Sequence, residues 1–193
     1  MRDQRILVME SRLTAAAKKS GDPTRHRCFI SYHLNDSDEV ASFVDRFGAE
    51  IIGTCLGVTE DDDFVDSDDE DYIRRRIREE HLSTTTVTIV LLGRCTWARK
   101  FVDWEISSSL RNDPVNKRSG LLAIPLPSMS NSARLPSRFA DNWSKDEASY
   151  ALYRAYPQYA GQLGLMVEHA FQRRDSDLKV VNSRPLMTSN LVC

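Results

Sequence analysis

The sequence predicts an α/β domain built on a parallel sheet, and three observations carry that reading. Short β-rich runs alternate with helical segments along most of the chain. One of those runs, "TVTIVLLG" at residues 86–93, is continuously apolar, as a central parallel strand covered on both faces requires. The segment that follows it, "TWARKFVDWEISSSL" at 96–110, has the 3.6-residue periodicity of an amphipathic helix.

After a polar lead-in over residues 1–26, "CFISYH" at 28–33 has the aromatic and β-branched content of a first strand, and "NDSDEVASFVDRFGAE" follows as a helix with Asp36 or Ser37 as N-cap. "IIGTCLGV" at 51–58 is a second short strand broken by glycines. Beyond it, nine acidic residues fall within Glu60–Asp71, and the helix after them sets Glu70 and Asp71 four residues before Arg74 and Arg75. The acidic run lacks the glycine and the terminal glutamate of an EF-hand in register, so it reads as a solvated loop. "GLLAIPLP" at 120–127 is the fourth strand, 128–149 a long polar loop, and Ala160–Arg173 the final helix. Residues 175–193 show little periodicity and are expected to be loosely held. The expected organisation is a lead-in (1–26), one domain (27–174) and a tail (175–193).

A net charge of −2 supplies no global positive field for nucleic acid, and no apolar run has the roughly 18 residues of a membrane span. The start lacks the apolar core of a secretory signal, so the cytoplasm is the expected compartment. Cys28, Cys55, Cys95 and Cys193 stand far apart without a C-x-x-C pair, which predicts reduced thiols and neither a zinc site nor a disulfide framework. His26, His33, His81 and His169 show no metal-ligand spacing, and only His33 lies at a strand end; the other three read as surface residues. No metal and no resident cofactor are expected. The absence of G-x-G-x-x-G after the first strand and of G-x-x-x-x-G-K-[ST] excludes a dinucleotide-carrying dehydrogenase and an NTPase, and the central strand does not end on a phospho-acceptor aspartate.

One residue breaks the pattern of the helix at 96–110. At 100° per residue, Trp97, Ala98, Phe101, Val102, Ile106 and Leu110 share a stripe, with Arg99, Lys100, Asp103 and Arg111 opposite; Glu105 falls inside the apolar stripe. A carboxylate buried there needs a partner or a task. It is either ion-paired to an arginine or lines a cleft where it stabilises a developing positive charge, with Phe101 one turn earlier as a flat wall. Ser31, near the end of the first strand, contacts substrate or caps the next helix.

"CFISYH", the block from "STTTVTIVLLG" through "WEISSSL", and the later "LPSRF" resemble the bacterial TIR-like domains of the Thoeris anti-phage defence family, over roughly Arg27–Arg173. The resemblance implies a flavodoxin-like fold: one parallel sheet of about five strands with helices on both faces. It implies an NAD nucleosidase or ADP-ribosyl cyclase that breaks the nicotinamide glycosidic bond. The cyclic or modified ADP-ribose product would activate a separate effector as a diffusible signal. Here NAD is substrate rather than cofactor. Glu105 takes the position of the family's catalytic glutamate and Phe101 that of an aromatic residue often found as Trp. His33 stands where some TIR enzymes carry arginine. Ser31, His33 and Trp97 complete the expected substrate-binding set. A phage-derived trigger and self-assembly are further expectations of the resemblance. The competing expectation is a non-catalytic TIR adaptor, in which Glu105 belongs to an interface or an ion pair.

Overall fold

The computed structural model describes residues 4–18, 25–54, 62, 65–113, 117–129, 133–145 and 148–193. Five parallel strands form one sheet in the order β2-β1-β3-β4-β5: β1 (Arg27–Ser31), β2 (Ile52–Thr54), β3 (Val87–Leu92), β4 (Gly120–Pro125) and β5 (Leu152–Tyr153). All six residues of β3 are buried, and β3 lies at the centre of the sheet, where its unbroken apolar run belongs. The chain is thus a single α/β domain with a flavodoxin-like, all-parallel sheet, as the alternation of elements predicts.

Helices α1 (Gln4–Lys18), α2 (Ser37–Phe47) and α6 (Ala160–Arg173) cover one face, packing Met9, Leu13, Phe43, Phe47 and Leu163 against β1, β3 and β4. The other face carries α3 (Glu70–Ile77), α4 (Lys100–Leu110) and the short α5 (Ser137–Ala140). A π-helical turn, Arg78–Leu82, continues α3. Among the described residues no helix is long and apolar enough to cross a membrane.

Several expectations are corrected. The polar lead-in holds α1, whose Met9 and Leu13, four residues apart, insert into the core. Leu13 lies over Gly53 so closely that any Cβ there would overlap its Cδ2, which explains a glycine inside β2. Residues 55–58 of the expected second strand, and residues 60, 61, 63 and 64 of the acidic run, lie outside the described residues. The described end of that run is not simply solvated: Val65 is buried, and Asp69 Oδ1 caps α3 by accepting from the Asp71 and Tyr72 amides, each at 3.0 Å. The predicted loop over 128–149 contains α5, and β5 follows it as a strand too short to stand out.

The tail is the largest departure. Asn142 Nδ2 donates to Val181 O at 2.7 Å, Asn182 Nδ2 to Ser107 O at 2.9 Å, and Trp104 Nε1 to Met187 O at 2.8 Å. Leu186 is buried beside Trp104, and Cys193 is disulfide-bonded to Cys95. Cys28 is a free, buried thiol whose pKa is raised by desolvation. The expectation of unpaired thiols therefore fails at Cys95 and Cys193. Their bond spans 98 residues of sequence, a separation that no local motif announces.

Candidate functional site

Strand order reverses between β1 and β3: the chain leaves β1 for β2 on one side and returns to β3 on the other. In such sheets the crevice at the carboxyl ends of the two diverging strands is where ligands bind. Ser31 ends β1 and pairs in register with Val90 of β3, which runs on to Leu92, with Gly93 directly after it. The two strand ends and the start of α4 therefore frame one region.

Glu105 projects into it from α4. It is 3% exposed, Ser31 is 1% exposed, and Ser31 Oγ donates to Glu105 Oε2 at 2.6 Å. That length is typical of a hydroxyl donating to a carboxylate. Three arginines bond to other groups of α4. Arg74 Nε donates to Ser107 Oγ at 2.9 Å, Arg78 Nη1 to Ser108 O at 3.1 Å, and Arg138 grips Asp103 through Nε–Oδ1 at 2.9 Å and Nη2–Oδ2 at 3.1 Å. Asp103, placed by the helical wheel on the solvent side, is thus buried with Arg138.

Phe101, one turn before Glu105, is half-buried and meets Trp104 edge-on with centroids 5.5 Å apart; Lys100 Nζ lies 4.9 Å from its ring centre. His33 follows β1 at the same end of the sheet. Its pKa is lowered by desolvation first, then by the positive charges of Arg99 and Arg5. Trp97 is less simply placed. The expected single helix over 96–110 is broken at Arg99, which is extended (φ −101°, ψ 124°), so Trp97 sits in a separate 3-10 turn, Thr96–Ala98. The wheel that set it beside Glu105 does not run through the break, and its ring is stacked by the Arg134 guanidinium at 3.5 Å.

Asp36 was not foreseen at this site. As the N-cap of α2 it makes no side-chain capping bond; its carboxylate lies against Gly93, where any Cβ would overlap it, and Thr96 Oγ1 donates to it at 3.5 Å. Burial first, then Glu39, raises its pKa, opposed by the Thr96 bond. The signal available in the sequence was the glycine directly after the central strand, which marks a close approach.

The histidines divide differently from expectation. His169 is exposed, but His26 Nε2 is 2.7 Å from Glu168 Oε2 and its ring stacks on Phe171 at 4.1 Å. His81 is buried, with Nε2 3.8 Å from Asp62 Oδ1. Among the described residues, Asp62, Glu80 and His81 are a group whose potential ligand atoms lie within 4.8 Å of one another, although Glu80 also pairs with Arg76. A groove of about 300 Å³ lined by Arg5, Met9, Arg12 and Ser37 lies between α1 and α2, on the sheet face opposite α4.

A family model described as the TIR-like domain of Thoeris protein ThsB matches residues 29–131. No curated protein matches the sequence. The match covers more than half of the chain and runs from within β1 to just beyond β4, including Ser31, Phe101 and Glu105, and the chain belongs to the Thoeris TIR-like family.

Proposed function

We propose that this member of a Thoeris anti-phage defence family cleaves NAD at the nicotinamide–ribose bond, with Glu105 as the catalytic carboxylate. The observation that carries the reading is the Ser31–Glu105 hydrogen bond at the switch point of the sheet. It holds a buried carboxylate in one orientation by a neutral donor and leaves its negative charge uncancelled by that partner.

The chemistry suits one acid. An alcohol leaving group must be protonated, which is why glycosidases use two carboxylates. Nicotinamide departs from a cationic ring as a neutral molecule and needs no general acid. Positive charge then builds on the ribose, and a fixed carboxylate in a water-poor site stabilises it. Phe101 offers a flat wall for the pyridine ring, and His33 follows two residues after Ser31, just beyond the end of β1. Capture of the ribosyl cation by water gives ADP-ribose; capture by a group of the same molecule gives a cyclic signal for a separate effector. NAD is consumed, no resident cofactor or metal is required, and the cytoplasm, which holds NAD, is the compartment of action. Because Glu105 is 3% exposed, this geometry is a closed one, and a phage-derived trigger or self-assembly would act by opening it.

The same burial favours a second reading, a non-catalytic assembly module in which Ser31–Glu105 is a structural bond. Glu105→Gln separates the two, since an amide still accepts from Ser31 but carries no charge. Nicotinamide and ADP-ribose products are measured by mass spectrometry in phage-challenged cells carrying either protein. On the catalytic reading the wild type releases nicotinamide, and the variant, equally stable, loses about 10²-fold to 10³-fold in rate. Undiminished release by the variant refutes the assignment of Glu105, and defence retained without NAD loss supports the assembly module.

A further inference from the structure

The C-terminal segment crosses α4 in two parts that are held differently. The inner part, through Met187, is anchored in the protein: Arg138 donates to the carbonyls of Arg184 and Pro185 at 2.8 and 2.9 Å, Leu186 is buried, and Met187 N donates to Asp103 Oδ2 at 3.1 Å. The outer part, residues 188–193, buries little apolar surface, with Leu191 48% and Val192 96% exposed. Its noncovalent hold is a few hydrogen bonds to the start of α4. Leu191 N donates to Ala98 O at 2.9 Å, and Arg99 Nη2 donates to Leu191 O at 3.2 Å. The third contact is a helix cap. Lys100 N opens α4, where amides have no acceptor within the helix, and Arg99 in the N-cap position supplies none. Asn190 Oδ1 accepts that amide at 2.9 Å, from ninety residues away along the chain. The Cys95–Cys193 bond closes the segment over this contact.

We propose that Cys95–Cys193 is a redox latch that clamps residues 188–193 onto the first turn of the helix bearing Phe101 and Glu105. A dithiol reductant opens it. One thiolate of the reductant attacks Cys193 Sγ, which lies on an exposed residue; the S–S bond breaks, and Cys95 leaves as a thiolate that takes up a proton. The second thiol of the reductant then displaces Cys193 from the mixed disulfide. Two electrons pass to the protein, which ends with two thiols, and the reductant ends as a disulfide. Once the tether is cut, Asn190 is no longer held at high effective concentration beside Lys100, and solvent-exposed hydrogen bonds alone do not keep in place an irregular segment that buries so little apolar surface. The start of α4 loses its cap while the inner anchor at 181–187 stays. In a compartment whose thiols are kept reduced, the open state is the resting one and oxidation closes the latch.

Hydrogen exchange followed by mass spectrometry on the full chain tests this, with the oxidised protein, the same protein after dithiothreitol, and Cys193→Ser in both conditions. A non-reducing digest of the oxidised protein yields a peptide pair joined through Cys95 and Cys193. Reduction speeds exchange in the peptide covering 96–104 by about fivefold, the scale of losing one helix cap. Cys193→Ser shows the faster rate with or without reductant, and Asn190→Ala reproduces part of the effect in the oxidised protein. Exchange over 105–110 is unchanged throughout. Failure of oxidised protein to yield the joined peptide overturns the proposal, as does equal protection of 96–104 in the oxidised and reduced states.

Discussion

Arg138→Met tests how the tail and α4 are bound together. The guanidinium is wholly buried and makes two bonds to Asp103, a third to Asn182 Oδ1 at 3.0 Å, and two more to the backbone carbonyls of residues 184 and 185. Methionine fills much of the volume but strands a carboxylate that is 4% exposed and retains the Met187 amide as a donor. Breaking a buried pair from one side costs about 3–5 kcal/mol. For a domain of this size each kcal/mol moves the melting temperature by about 2–4 °C, so a fall of roughly 6–20 °C is expected. Urea unfolding gives the free energy directly. Adding Asp103→Asn on the Arg138→Met background removes the stranded charge while keeping an acceptor for Met187 N, and it should restore at least about 1 kcal/mol. A loss below about 1 kcal/mol for the single variant, or no recovery in the double, would show that the pair is not what joins tail, α5 and α4.

Three further outcomes follow from the geometry. Ser31→Ala removes the hydroxyl that orients Glu105 and should cost about 1–3 kcal/mol in urea unfolding; a neutral result would mean that the bond is not satisfied in the folded protein. His33, whose folded pKa lies below its unfolded value, takes up its proton in the unfolded chain before the folded one, so stability is lost as pH falls through the unfolded value near 6.5 and is fully present above it. An NMR titration should place the His33 midpoint below that value, and Arg99→Gln should move it up; a downward move would contradict the positive field assigned to Arg99. Gly53→Ala forces Leu13 aside and should cost about 1–3 kcal/mol, whereas on a Leu13→Ala background the same change should be much less costly; equal costs on both backgrounds would show that α1 does not pack on β2 as described.

What could be read without coordinates was whatever depends on local periodicity. The parallel order of the sheet followed from strand and helix alternation, the central position of β3 from its unbroken apolar run, and the limits of α6 from its flanks. The pairing of Glu105 with Ser31 was half legible: both residues were singled out, but their contact spans 74 positions and depends on how α4 lies across β1. Helix α1 was hidden because only a few of its side chains reach the core, and β5 because two residues carry no period. The break at Arg99 escaped because a 3-10 turn followed by a helix keeps the apolar spacing of a single helix over this short a span. The tail escaped for a different reason. It forms no regular element, and its order comes from single side chains on or beside α3, α4 and α5 and from the bond to Cys95.

Helix α4 shows why a wheel identifies the anomalous carboxylate but cannot say what answers it. Two acids two residues apart, Asp103 and Glu105, were assigned opposite surroundings, and both are buried. The wheel assumes that one side of a helix meets the protein and the other meets water. Around α4 the sheet supplies one wall, α3 a second, and α5 with the returning tail a third, so that nine of its eleven residues are buried. Under that enclosure each carboxylate is resolved by what its own wall offers. Asp103 faces α5 and the tail, where a guanidinium and an amide neutralise and saturate it. Glu105 faces the end of β1, where a serine orients it. Opposite charge makes the first a structural tie, whereas a hydroxyl fixes the direction of the second, which is the orientation that the proposed action on a cationic sugar calls for.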